Sequence, residues 1–238
     1  FNIYMPGFER LMKVLNTGML FEVDTTGIVF NEQSLQIIIK NADIWTPEPP
    51  STLISGQTER WQLLNALLNS ISAIDPTKGW LFLFNNQAAF PEDVEERIRL
   101  NTRSFSAGYK AKHLETCLQS AGQLLGLGGG LTPSGDDWLA GFLLYQVCYR
   151  PIAGKSMEFL SKMIKELLAM AAQKTTTISV NRLMAAGKGW AEEPFLQVID
   201  SLFTGQSVSE NLVHILVNFG HSSGVDTTLG ILSSLNCE

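Results

Sequence analysis

Paired cysteines, basic clusters and membrane-length apolar runs are all missing from this sequence. Cysteine occurs only at Cys117, Cys148 and Cys237, scattered and without a CxxC pair. That set points to reduced thiols and a cytoplasmic protein. Lys and Arg number 17 against 23 Asp and Glu, a formal net charge of −6. Gripping nucleic acid requires a basic face, and no Lys/Arg cluster supplies one, so no nucleic-acid partner is expected. The apolar stretch Trp138 to Tyr149 contains Gln146 and falls short of the roughly 20 residues that span a bilayer. It reads as a core helix, and no membrane partner is expected. The chain begins at Phe1 with neither Met nor a signal-peptide pattern, and some native N-terminal residues are expected to be missing.

What is present is a globular composition, 45% hydrophobic and 17% charged, which excludes a disordered chain. Near the N-terminus, Met19 to Val23, Ile28 to Phe30 and Leu35 to Ile39 are short runs rich in β-branched and aromatic residues. Asp24-Thr-Thr-Gly27 and Asn31-Glu32 separate them as turns. Thr46-Pro-Glu-Pro-Pro-Ser51 breaks any regular element and is the linker candidate. Gly79 to Phe84 fits one more strand or a buried connection.

Beyond residue 56 the period becomes helical. Trp61, Leu64, Leu67, Leu68 and Ile71 share a face, with Thr58 placed to cap it. Met157, Leu160, Ile164, Leu167, Leu168 and Ala171 make another, and Leu212, Ile215, Leu216 and Phe219 a third. The expected fold class is α+β: a small β-rich N-terminal region, residues 1–50, then a larger, mainly α-helical region, residues 51–238, that carries the motifs.

The densest motif is GGGLTPSGDD, residues 128–137. Glycines at Gly128, Gly129 and Gly130 let successive N–H groups point into one anion-binding concavity. Pro133 suits a first helical turn, with Thr132 as N-cap, or alternatively Ser134 caps with Asp137 three residues on. Either arrangement exposes free N–H groups and a partial positive charge that favour phosphate or carboxylate. One glycine-rich turn alone carries little weight, because such turns often only reverse the chain. It is not a Walker loop, since no Lys follows the last glycine.

A second copy changes that reading. Residues 220–232 are GHSSGVDTTLGIL. Setting Ser134-Gly135 over Ser223-Gly224 aligns Asp137 with Asp226, Gly141 with Gly230 and Leu143 with Leu232. Glycine within a helix costs ~1 kcal/mol against alanine, so two matched glycines call for a packing reason. The spacing therefore predicts two helix N-termini converging on one pocket.

His221, inside the second turn, can donate to an oxyanion or act as a general acid, or it can simply bond backbone. His214 reads as structural and His113 as solvated. Asp136, Asp137 and Asp226 could hold Mg²⁺, though no third fixed ligand is evident. In Lys174-Thr-Thr-Thr-Ile-Ser-Val-Asn181, Thr175 or Thr176 caps a helix while Ile178 and Val180 stay partly buried. Thr177, Ser179 and Asn181 are then candidates for facing a ligand.

GLGGGLTPSGDDWLAG, TTTIS and GHSSGVDTTLG together resemble a bacterial family known through the AllH-type subunit of oxamate carbamoyltransferase. The resemblance covers roughly residues 100–235. Where the AllH-type pattern has His before the paired aspartates, this chain has Gly135. The resemblance implies a subunit of a multi-subunit carbamoyltransferase in allantoin (purine) nitrogen catabolism, where oxamate and carbamoyl phosphate are exchanged with oxalurate and phosphate. Carbamoyl transfer needs an anion cradle, donors to the carbonyl oxygen and a proton acceptor. Gly128, Gly129, Gly130, Thr132 and Ser134 are assigned to phosphate, and His221 and Ser222 to the carbonyl. Asp137 or Asp226 serves as base or metal ligand, with Gly135, Asp136, Ser223 and Gly224 completing the substrate-binding turns. Positive charge would come from Arg103, Lys174, Arg182 or a partner subunit. The rival expectation is a non-catalytic subunit that binds a small anion or helps assemble an enzyme complex.

Overall fold

The β-branched runs near the N-terminus pair into a small sheet. The computed structural model describes residues 13–16, 18–30, 35–40 and 46–238, which divide into two compact units, Phe1–Thr46 and Pro47–Glu238. In the first unit β1 (Glu22–Val23), β2 (Gly27–Phe30) and β3 (Leu35–Ile38) form an antiparallel sheet in that order. Asp24 explains the first turn: its Oδ1 accepts from the Thr26 N–H at 2.6 Å and the Gly27 N–H at 3.0 Å, the self-bonding that makes Asp a turn residue. The run expected from Met19 narrows to Glu22–Val23, and the turn expected at Asn31-Glu32 lies outside the described residues.

The second unit is helical: α1 (Gln57–Ile74), α2 (Phe82–Asn85), α3 (Glu92–Lys110), α4 (Leu114–Leu124), α5 (Ser134–Ile152), α6 (Glu158–Lys174), α7 (Thr177–Ala186), α8 (Glu193–Thr204), α9 (Glu210–Asn218) and α10 (Ser223–Leu235). An α+β class is thus the observed one. α5 is the central helix, buried continuously from Gly135 to Gln146. A helix apolar all round belongs inside a core. Phe105, Tyr109, Trp138 and Phe142 meet edge-to-face there, with Phe105 and Phe142 centroids 4.9 Å apart. The buried Gln146 is satisfied on both ends, accepting from Tyr109 Oη at 2.9 Å and donating to the Ser234 carbonyl at 3.0 Å. No helix among the described residues is long and apolar enough to cross a membrane.

Several helix faces differ from the sequence reading. α1 begins at Gln57 with Gly56 at its N-cap, so Thr58 lies in the first turn and caps nothing. Trp61 faces outward and donates to Asn236 Oδ1 at 2.6 Å. Arg60 takes the inner position, one turn before Leu64, paired with Glu238 at 2.5 Å and lying over the Tyr149 ring. On α9 the buried residues are Leu212, Val213, Leu216 and Val217, while His214 and Ile215 are exposed. The face is rotated because α9 packs on α1 and α10 at once. Ile178 is likewise exposed. Gly79 to Phe84 forms no strand; Trp80, Leu81 and Phe82 are buried in a connection that enters α2.

Candidate functional site

α5 and α10 make the most extensive helix–helix contact in the second unit, and their glycines explain it. A methyl on Gly141 would land on the Thr227 carbonyl, and one on Gly230 would land on the Trp138 carbonyl. Each glycine meets the residue three positions before the other, so the crossing has an approximate two-fold relation. Because the helices cross so near their starts, both N-termini open at one place. Thr132 Oγ1 lies 3.0 Å from Ser223 Oγ, and Ser134 Oγ lies 3.5 Å from Ser222 Oγ.

This corrects the capping expectation. α5 begins at Ser134 with Pro133 at the N-cap, and α10 at Ser223 with Ser222 there, both without a side-chain cap. Neither Thr132 nor Ser134 caps its own helix; each reaches across to the other turn. Four hydroxyls, two from each turn, thus stand over two helix starts, where the dipole is positive, although the Gly135 and Gly224 N–H groups already donate to the Leu127 and Phe219 carbonyls at 2.9 and 3.1 Å.

Asp137 and Asp226 sit beneath those hydroxyls, neither exposed at all. Burial pushes the Asp137 carboxyl up to about 6, against the pull of the Arg182 guanidinium and the Ser223 hydroxyl. Burial pushes Asp226 to about 7, against the Trp80 N–H and the Ser134 and Ser222 hydroxyls, with the Asp137 charge adding to the rise. The reciprocity is again visible: Asp137 lies beside a serine of the second turn and Asp226 beside one of the first. Asp226 Oδ1 accepts from the Trp80 N–H at 2.7 Å. The Oδ2 atoms of both aspartates are buried without a hydrogen-bond partner. Native structures leave few buried polar atoms unpaired, so these two oxygens single out the paired turns as the candidate site.

Asp136 has a different occupation. Its Oδ1 accepts from the Gly126 N–H at 2.9 Å, and the Thr175 hydroxyl donates to its Oδ2. It braces the glycine turn against the end of α6. Gly128 and Gly130 adopt positive φ, +126° and +87°, which places them in the region L side chains avoid. With Gly129 they form an exposed rim, and His221 is exposed on the opposite turn. Thr176 caps α7 by accepting from the Ser179 N–H at 3.1 Å, as one of the alternatives held. Ser179 is buried with its Oγ unpartnered, and burial pushes the Asp136 carboxyl above its ordinary value against the Thr175 hydroxyl and the Gly126 N–H. Thr177 and Asn181 are exposed.

Of the three candidate cations only Arg182 reaches the centre. It forms an ion pair with Asp137, bonds Thr227 Oγ1 at 3.1 Å and lies 3.4 Å from Glu192. Its guanidinium lies over the Phe195 and Phe219 rings, 5.2 and 5.9 Å from their centroids. Arg103 lines a separate cleft of about 340 Å³ with Arg99 and Lys110. Lys174 donates to the Gly122 carbonyl at 2.7 Å and borders an apolar cleft of about 700 Å³. Among the described residues no group of three or more His, Cys, Asp or Glu side chains is arranged to hold a metal ion.

Sequence reasoning missed Trp80 and Glu192. Arg182 follows Ser179 by three residues on one helix, a spacing that puts both on one face and marks it as the best of the three cations. Nothing in the sequence signals the Trp80 amide, a backbone donor far away in the chain. Breaking a buried pair strands the remaining charge, so Arg182→Met is expected to lower stability by about 3–5 kcal/mol, measured by urea unfolding. Asp137→Asn in the same chain should recover much of that loss, because the buried carboxylate that Arg182 had paired is then gone. A single-variant loss below about 1 kcal/mol would show that the pair is solvated.

No solved structure matches the chain. The resemblance carried by the motifs and the family model described as oxamate carbamoyltransferase subunit AllH meet on the same stretch: that model matches residues 124–235, which hold both helix starts, the threonine-rich segment and Arg182.

Proposed function

We propose that the chain is a subunit of a carbamoyltransferase of the oxamate/oxalurate type, acting on carbamoyl phosphate in allantoin nitrogen catabolism. The observation that carries this reading is the convergence of two helix N-termini over Asp137 and Asp226, whose buried Oδ2 atoms lack partners. The phosphate of carbamoyl phosphate sits against the N–H groups of Gly128 to Gly130 and the hydroxyls of Thr132 and Ser134, where the dipoles favour an anion. Ser222, with His221 from the rim, donates to the carbamoyl oxygen as charge develops there. The amide nitrogen of oxamate attacks the carbamoyl carbon, the bond from that carbon to the phosphate oxygen breaks, and phosphate leaves. The proton from the attacking nitrogen passes to the carboxylate of the aspartate pair that is ionised. Gly135 and Gly224 let each helix start close to the element before it, keeping Ser223 and the other hydroxyls over the acids. Thr177, Ser179 and Asn181 border the acceptor side. The three free, buried thiols fit a cytoplasmic setting.

The second reading, a non-catalytic subunit that binds a small anion within an assembly, is favoured by one observation. Arg182 is committed to Asp137 and Glu192, so additional positive charge for a phosphate would come from a partner subunit. The test is phosphate release from carbamoyl phosphate with oxamate, for the chain alone and with its partner subunits. Turnover that is lost on Ser134→Ala and Ser222→Ala is the expected result. Ligand-dependent thermal stabilisation without turnover, even with partners present, selects the binding subunit. Neither turnover nor stabilisation would end both readings.

A further inference from the structure

We infer that the cleft between α3 and α10 is a second binding site, for a small organic acid carrying two carboxylates. It shares no lining residue with the twin turn and does not rest on the reaction proposed there. The cleft holds about 340 Å³, a size that suits a small molecule. Arg99, Arg103 and Lys110 line it, and among the described residues no Asp or Glu does, although acids outnumber bases 23 to 17 in the chain.

The three cations are held differently. Arg99 is fixed: it donates to the Phe82 carbonyl at 2.7 Å, and its guanidinium lies over the Phe82 ring, 4.9 Å from the centroid. Glu95 Oε2 lies 3.9 Å from it, beyond hydrogen-bond reach, and Glu95 Oε1 accepts from the Ala89 and Phe90 N–H groups. Arg103 and Lys110 are exposed and form no ion pair among the described residues. Positive charge without a partner therefore lines the α3 wall.

The opposite wall comes from α10 and its end. Asn236 Oδ1 accepts from Trp61 Nε1–H at 2.6 Å, so the NH₂ of that amide is the function left for a ligand. Ser233 adds a hydroxyl, and Leu83, Leu229 and Leu232 give the cleft an apolar side. Arg103 and Lys110 stand seven residues apart on one helix face, about 10 Å along the axis. A compact inorganic ion would leave the leucines uncovered. A diacid with a few methylenes covers them and gives each charged end its own cation, with guanidinium well shaped for carboxylate. Binding is by charge, hydrogen bonds and apolar contact, and no covalent bond changes.

Glutarate is the probe, with pentanoate as the one-carboxylate comparison of equal length and inorganic phosphate as the compact ion. Calorimetric titration should show glutarate binding about tenfold more tightly than pentanoate, the worth of one charge-assisted hydrogen bond. Arg103→Gln and Lys110→Gln should each weaken glutarate about fivefold, the size of an ion pair that solvent reaches. Both side chains are exposed, so the fold should survive, checked by melting. Arg97→Gln removes the same charge from α3 outside the cleft and should leave the affinity unchanged. Equal weakening by Arg97→Gln would reveal general attraction and overturn the inference. So would phosphate or pentanoate binding as tightly as glutarate, or no glutarate binding at all. Loss on Ser134→Ala, with Arg103→Gln without effect, would put the acid at the twin turn and overturn the inference while leaving that site standing.

Discussion

Replacing Gly141 or Gly230 by alanine is expected to lower stability by about 3 kcal/mol or more, although helix propensity alone promises a gain of about 1 kcal/mol. The added methyl meets a backbone carbonyl, Thr227 in one case and Trp138 in the other. A carbonyl cannot rotate aside as a side chain can, so relief requires the two most deeply packed helices to part. Parting them opens gaps beside Trp138, Phe142, Leu229 and Ile231, all buried, and lost close contacts add to the cost. The double variant should cost less than both single losses together, because the first separation makes room for the second methyl. Gly129→Ala is the control, with nothing within 4 Å of the new methyl. Urea unfolding measures all four chains. Single losses below about 0.5 kcal/mol would mean that the helices do not cross at their glycines.

Asp226→Asn is expected to act in the opposite direction, raising stability at pH 8 by up to about 4 kcal/mol, or roughly 10 °C in melting temperature. The folded chain holds the Asp226 carboxyl at about 7 against an ordinary 3.8. Between those values the folded state carries a proton that the unfolded state has lost. Stability from this group is therefore complete below about pH 4 and disappears as pH rises through 7. Asparagine never ionises, so the variant escapes the loss. The gain over wild type should shrink steadily from pH 8 towards pH 4, followed by melting at each pH. A gain independent of pH would mean that the Asp226 carboxyl ionises in the folded chain as readily as in the unfolded one.

Much of this centre was legible beforehand, for a physical reason. Close helix crossing demands glycine, and glycine in a helix is otherwise a cost, so Gly141 and Gly230 stand out in the chain. The two S-G-x-D copies could be aligned because each is a short local device, complete within one turn of helix. In the TTTIS segment the expected cap is Thr176, whereas of the residues expected to face a ligand Ser179 is buried and Thr177 and Asn181 are exposed. Other assignments failed where two elements competed for a side chain. Thr132 and Ser134 looked like caps because capping is the commonest local use of a hydroxyl, yet each bonds across to the other turn. Ile178 and Ile215 looked buried by composition, and the position of neighbouring helices turned them outward.

From its sequence alone the protein was determined to be an α+β chain with a central buried helix and a duplicated hydroxyl–glycine–carboxylate helix start. Local spacing and residue volume suffice for that much. Only the tertiary structure decided that the two starts face each other, that Arg182 falls to Asp137 and that the Trp80 amide falls to Asp226. The reason is distance along the chain. Burial and pairing of a carboxyl depend on which segments close over it, and those segments come from parts of the sequence that share no period with it.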